Sequence, residues 1–446
     1  MQQIDFSQGS IRRRILAVAT PMLIAQLLNL LYNIVDRIYI GKIPGEGTLA
    51  LASIGLCFPF VTLITAFANL FGLGGAPLCA MARGKGNREG AQGIMVNAGF
   101  MLLLSGAVLT VLGIAFHRPL LYLFGASEVT YPYASSYIVI YLIGTLCVML
   151  SLGLNPYINC QGFARTGMLT VALGAAANIV LDPIFIFALH LGVRGAAIAT
   201  VLSQFLSAAW VVKFLTSKKA ELKLDFRGFR PDCQCIQRIT VLGIASFVMS
   251  FTDTLVQVAC NATLRNFGGD LYISVMTVLN SVRQIAQTPV LAIADGASTA
   301  ISYNYGAGLY KRNRFMTQIA IGYTMLVWML VSLFPALFIR IFNQDAELVA
   351  AAVPALHIYF FGFVMMAFQY AGQSTFRALG RAKYAVFFSL LRKAFIVVPL
   401  TLLLPYCWNL GVSGVFAAEP VSNCIGGLAC YFTMRHVVMP ELKMEN

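Results

Sequence analysis

Eight ionisable side chains stand inside apolar runs of this sequence. A charge there costs on the order of 2.5–3.5 kcal/mol on insertion scales, so each one requires a partner, a cavity or a function. Five are acids, Asp36, Asp182, Asp253, Asp295 and Glu419, and three are bases, Arg283, Arg392 and Lys393. Asp36 ends a polar stripe, Gln26, Asn29, Asn33 and Asp36, whose spacings of 3, 4 and 3 put all four on one helix face. Asn178 and Asp182 are four residues apart and share a face, and Thr200 falls in the same outer half of the following run. Neighbouring residues on a helix point about 100° apart, so Arg37 is expected to reach the outer interface rather than neutralise Asp36. Two carboxylates, an amide and a hydroxyl with no cation among them admit three readings. They can share protons, because desolvation and a like neighbour both disfavour the second charge; their oxygens can coordinate Na⁺ transiently; or they can form a hydrogen-bonded network that only joins helices.

The C-terminal acids read differently. Counting about 1.5 Å per residue from the run ends puts Asp253 and Arg283 at one depth and Asp295 and Arg392 at another. Structural ion pairs Asp253–Arg283 and Asp295–Arg392 are therefore expected. Glu419, just before Pro420, has no clear partner, and interfacial exposure and cavity lining stand as equal readings. Gln26, Asn29, Asn33, Arg283 and Glu419 are the cavity-lining candidates. Pro21 lies fifteen residues before Asp36. It removes one backbone hydrogen bond and permits a bend, as a fixed kink or as a hinge.

The elements that must position these groups follow from composition. The 446 residues are 59% hydrophobic and 11% charged, with a mean hydropathy of +0.78. That excludes an ordinary soluble domain, in which charged residues make up roughly 25%. Apolar runs bounded by polar or Gly/Pro clusters predict twelve membrane spans, near 15–40, 49–80, 93–116, 133–157, 168–190, 195–215, 239–264, 272–303, 316–339, 351–374, 385–406 and 413–434. With the N-terminus inside, the inner loops and tail hold 22 of the 31 Lys+Arg and the outer loops five. The net charge of +14 thus orients the chain, with both termini cytoplasmic. Nucleic-acid binding is not expected, because the bases form no single patch.

The basic inner loop near 216–238 divides the chain at its middle. Gly84-Lys-Gly86 recurs as Gly306-Ala-Gly308, 222 residues on, and Gly192-Val-Arg-Gly195 recurs as Gly411-Val-Ser-Gly414, 219 residues on. A duplicated architecture is expected, with an N-lobe over 1–222 and a C-lobe over 223–446, related by an axis along the membrane normal because six spans is an even number. No phosphate-binding loop G-x-x-x-x-G-K-[ST] occurs. The ten cysteines mostly sit in apolar runs, and the four histidines are scattered, so neither a catalytic residue nor a resident metal site is expected.

The run Pro21–Gly41 (PMLIAQLLNLLYNIVDRIYIG), the stretch Asn304-Tyr-Gly-Ala-Gly308, Ser389-Leu-Leu-Arg392 followed by Pro399, and the two G-V-x-G helix openings resemble the multidrug and toxic compound extrusion (MATE) family, in its bacterial drug-efflux branch. The resemblance covers essentially the whole chain. It implies an all-α polytopic membrane protein, twelve helices in two pseudo-symmetric six-helix bundles set as a V around a central cleft. It also implies a cation or proton site at Asp36, Asn178, Asp182 and Thr200, with protonation of Asp36 bending the first helix near Pro21. Where some members carry a Gln-Pro pair, this chain has Asp295-Gly and Ser298-Thr299, so no role carries over to Asp295; the C-lobe carboxylates of some branches are not matched either.

The expected activity is secondary active efflux of amphipathic, often cationic, drugs or metabolites by antiport with H⁺ or Na⁺. No cofactor is expected, and the partners are the small-molecule substrate and the lipid bilayer. A multi-pass monomer in the bacterial inner or plasma membrane is expected. The alternative is a lipid-linked sugar or lipid flippase of related bundle layout, which would want a strongly cationic cavity.

Overall fold

The computed structural model describes residues 11–43, 47–124, 126, 128–306, 329–340 and 346–438. Residues 307–308 of the expected second glycine motif and most of the ninth span, over 316–339, lie outside them. Helix is the only regular structure among the described residues, as lipid requires of an open chain, since a helix satisfies its backbone hydrogen bonds within itself. Apolar side chains such as Val111, Phe116, Phe205, Phe361 and Phe395 are exposed, forming an outer surface that lipid tails cover.

The chain divides into two compact units, one built on Thr20–Phe247 and the other on Val248–Asn446. The first contains α1 (Ile11–Gly41), α2 (Gly47–Gly84), α3 (Arg88–Leu123), α4 (Tyr131–Ile143), α5 (Thr145–Cys160), α6 (Ala164–Pro183) and α7 (Gly192–Thr216). Within α1 the division falls between Ala19 and Thr20, next to Pro21. The expected boundary at 222/223 lies earlier than the structural one because the inner linker packs onto the first unit. Leu222 and Leu224 are buried there, and Leu222 N donates to Gln161 Oε1 at 2.9 Å. The Glu221 carboxylate pairs with Arg83, and Asp232 N donates to Asn97 Oδ1 at 3.0 Å.

The second unit begins within α8, helical from Cys233 to Gly306. Seventy-four residues of straight helix would run about 110 Å, more than three times the hydrocarbon thickness. The side chains show the reversal instead: Asn280 Nδ2 donates to Gln257 Oε1 at 2.9 Å, a contact possible only if the helix folds back midway between them, near Gly268 and Gly269. The expected seventh and eighth spans are therefore an antiparallel hairpin. The rest of the unit comprises α9 (Pro335–Arg340), α10 (Ala346–Phe360), α11 (Met365–Ala378), α12 (Ala382–Leu390), a π-helical stretch Leu391–Val397, α13 (Val398–Leu403) and α14 (Val412–Val437).

The duplication is visible in the backbone. Spans four and ten are both broken, α4 bending into α5 by 56° and α10 into α11 by 50°. Gly192 and Gly411 share a φ of +51°, a left-handed conformation that glycine adopts without strain. Three residues later, a Cβ on Gly195 would come 2.5 Å from Phe185 O, and one on Gly414 would come 2.7 Å from the Leu404 carbonyl carbon. Phe185 and Leu404 are also 219 residues apart. Before the fifth and eleventh spans the offset is 218 instead, since the positive-φ glycines are Gly162 and Gly380 and the helices begin at Ala164 and Ala382. One residue has been added to the C-terminal half between those points, and each half carries a π-helical stretch in this span, Ile184–Ala188 in the first unit and Leu391–Val397 in the second.

Candidate functional site

Two polar clusters occupy equivalent places, one in each unit. In the first unit, α1 carries Asp36, α6 carries Asn178 and Asp182, and α7 carries Thr200. Asn178 and Asp182 are buried, and Asn178 Nδ2 donates to Asp182 Oδ1 at 3.1 Å, as their spacing requires. The carboxyl groups of Asp36 and Asp182 lie against each other. Asp182 Oδ2 has no hydrogen-bond partner among the described residues. Two neighbouring carboxyl groups in a low-dielectric interior disfavour double ionisation, so an arrangement of this kind can share a proton or admit a cation.

Tyr32 and Tyr137 stand within electrostatic reach of Asp36. Neither stood out in the sequence, although Tyr32 precedes Asp36 by one helical turn and so shares its face. Thr200 is buried on α7, which packs along α6, but its hydroxyl makes no hydrogen bond among the described residues. The structure thus joins Asp36, Asn178 and Asp182 and leaves Thr200 as a neighbour. Of the polar stripe, Gln26 and Asn33 are exposed and Asn29 is half-buried, with Asn33 Nδ2 donating to Asn29 O at 2.6 Å. An exposed amide stripe at membrane depth requires water beside it. Pro21 is buried inside α1.

In the second unit the pairing differs from the one expected by depth. Asp253 takes Lys393 Nζ at 2.9 Å rather than Arg283. Glu419, expected without a partner, accepts from three cations through Oε1: Arg283 Nη1 at 3.1 Å, Arg392 Nη1 at 3.2 Å and Lys393 Nζ at 3.4 Å. Arg392 Nη1 also donates to Asn423 Oδ1 at 2.6 Å, a second partner on α14; the side chain of Asp295, expected against Arg392, lies outside the described residues. Arg283 further lies 5.9 Å over the Tyr359 ring. Depth arithmetic ranks residues along the membrane normal but carries no azimuth; the hairpin puts Asp253 and Arg283 level while aiming them at other helices.

Glu419 and Lys393 are 3% and 2% exposed, so the cluster is a desolvated ion network rather than a surface one. The missed partner was Lys393. An α-helical reading points it about 100° away from Arg392, yet both side chains reach Glu419 on α14 from the π-helical stretch.

Among the described residues no group of His, Cys, Asp and Glu has the arrangement of a metal site. The MatE family profile matches residues 21–184 and 245–403. The chain is 23% identical over 434 residues to the multidrug export protein MepA of Staphylococcus haemolyticus, covering 97% of this chain and 95% of that one. It is 24% identical over 444 residues to an FAD transporter of Shewanella oneidensis, covering 96% of each. Its fold superposes on a crystal structure of MATE in the bent conformation with a TM-score of 0.93, at 23% identity and covering 100% of this chain and 99% of the other. An outward-facing multidrug resistance MATE transporter gives 0.91 at 23% identity over 99% of both chains. Matched by that profile over most of its length, the chain belongs to the MatE family of multidrug and toxic compound extrusion proteins, and is a membrane transporter rather than an enzyme.

Proposed function

We propose that the protein exports amphipathic, often cationic, compounds from a bacterial cell in exchange for inward H⁺ or Na⁺, and that the first unit carries the exchange. The observation that supports this most is the contact between the Asp36 and Asp182 carboxyl groups inside membrane-spanning helices. Such a pair takes up a single positive charge when the site is desolvated and gives it up when a cationic substrate or water supplies the compensation. Cation and substrate then weaken each other by the same factor, as linkage demands, which is the thermodynamic form of antiport. Asn178 fixes the Asp182 carboxylate through its 3.1 Å hydrogen bond, and Thr200 lines the same layer. Pro21, beside the division within α1, serves as the hinge through which occupancy of Asp36 reaches the rest of the helix.

Both termini are assigned to the cytoplasm on the 22-to-5 asymmetry of basic residues, and the working unit is taken as a monomer. A flippase for lipid-linked sugars would need a strong uncompensated positive field for pyrophosphate. Here Arg283, Arg392 and Lys393 are engaged by Asp253 and Glu419, leaving a surplus of one charge among these residues. The test is efflux of ethidium from proteoliposomes under an imposed pH gradient and then under an imposed Na⁺ gradient. Acceleration by one of the two is expected, and indifference to both overturns the proposal.

A further inference from the structure

The second unit rebuilds the site of the first with the polarity changed. By the 219-residue offset Asp182 corresponds to Thr401 and Thr200 to Glu419, so the acid and the hydroxyl have exchanged helices. All four are buried. By the 218-residue offset that holds before the π-helical stretch, Gly174 corresponds to Arg392. Gly174 faces Ser207, and Arg392 runs over Gly426, the residue 219 positions after Ser207. The glycine of the first unit has become an arginine, and the facing serine has become the glycine that makes room for its stem. Lys393, the next residue of the π-helical stretch, reaches the same Glu419 oxygen as Arg392.

Lys393 Nζ, 2.9 Å from Asp253 and 3.4 Å from Glu419, occupies between two carboxylates the place that an exchangeable cation would take beside Asp36 and Asp182. A tethered ammonium cannot be exchanged, so this site has a different use. Three bases against two acids leave it one positive charge in excess among the described residues. One donor beside the same recess is also unspent, since Arg392, 6% exposed, has no partner for Nε among the described residues. Arg392, Lys393, Asp253 and Gln369 line that recess together with Met249 and Met366, the Asp253 carboxylate being engaged by Lys393. It has room for about one water as it stands, and the two unbranched methionine side chains are the part of its wall that can yield.

We infer that this recess is a subsite for an anionic group of the transported molecule, a carboxylate or a phosphate, held by the surplus charge of Arg392 and Lys393 and by the Arg392 Nε–H. The inference deepens the transport reading given above and rests on it. It assigns substrates that are zwitterionic or anionic amphiphiles as well as simple cations, with the anionic end in the second unit.

Rhodamine 110, which bears a free carboxylate, and rhodamine 123, its methyl ester, form a matched pair of fluorescent probes. Equilibrium binding of each to the purified full-length protein should favour the free carboxylate at least tenfold. Arg392→Gln leaves two bases against two acids, a balanced cluster, and should reduce the preference to within about twofold. Equal affinity of the wild-type protein for the two dyes overturns the inference, whether or not the variant folds, and so does a tenfold preference that survives in a folded Arg392→Gln protein. Gradient-driven transport of the same dyes in proteoliposomes separates the two readings. A wild-type preference that Arg392→Gln abolishes, without cation-driven transport, would leave the subsite standing and sink the antiporter. Driven transport without preference would do the reverse.

Discussion

Asp182→Asn isolates the exchange step from the fold. Asn is isosteric and keeps an acceptor for Asn178 Nδ2, which now donates to Asp182 Oδ1 at 3.1 Å, so the change in stability should stay within about 1 kcal/mol. What disappears is the second carboxyl group, and with it the reason for Asp36 to hold and release a cation. The loss can be put as a number. One proton exchanged for one singly charged dye is electroneutral, and one pH unit supplies about 1.4 kcal/mol, a tenfold concentration ratio. Proteoliposomes with the membrane potential clamped and a one-unit pH gradient should therefore sustain a dye ratio approaching ten with the wild-type protein and about one with Asp182→Asn. For Na⁺ coupling, a tenfold Na⁺ gradient gives the same figures. A folded Asp182→Asn protein that still concentrates ethidium tenfold refutes the role assigned to the carboxyl pair.

Glu419→Gln should be far more damaging to stability than Asp182→Asn, because Arg283, Arg392 and Lys393 all converge on that one oxygen. Removing one partner of a buried ion network costs about 3–5 kcal/mol, measurable as a fall in the thermal midpoint of the purified protein, and adding Arg392→Gln should recover part of it by removing one orphaned base. Gly195→Ala and Gly414→Ala should each cost about 1–3 kcal/mol by overpacking. In both cases the new Cβ meets backbone, of Phe185 and of Leu404, that cannot swing aside; a stability unchanged in either variant would contradict the close approach.

Much of this arrangement was legible in the sequence because lipid makes its rules strict. Apolar runs marked the spans, and the G-V-x-G recurrence marked the duplication that Gly192 and Gly411 bear out with the same φ. The i, i+4 spacing of Asn178 and Asp182 correctly put them in contact. The ion pairs of the second half were not legible. Which base meets which acid depends on helix azimuth, and azimuth changes wherever a residue is inserted; the π-helical stretches at Ile184–Ala188 and Leu391–Val397 leave no mark in hydropathy. The packing of the inner linker was not legible either. Charge made the linker look like a separator, while Leu222, Leu224 and Glu221 fasten it to the first unit.

The central claim is that the Asp36–Asp182 pair releases a cation when substrate binds. It can be measured without a membrane gradient. Purified protein in weakly buffered detergent solution is titrated with ethidium while pH is followed with an indicator dye, and the experiment is repeated on protein loaded with radioactive Na⁺. The account predicts about one H⁺ or one Na⁺ released per ethidium bound, and none from Asp36→Asn or Asp182→Asn. Saturating substrate binding by the wild-type protein with no release of either cation would contradict it.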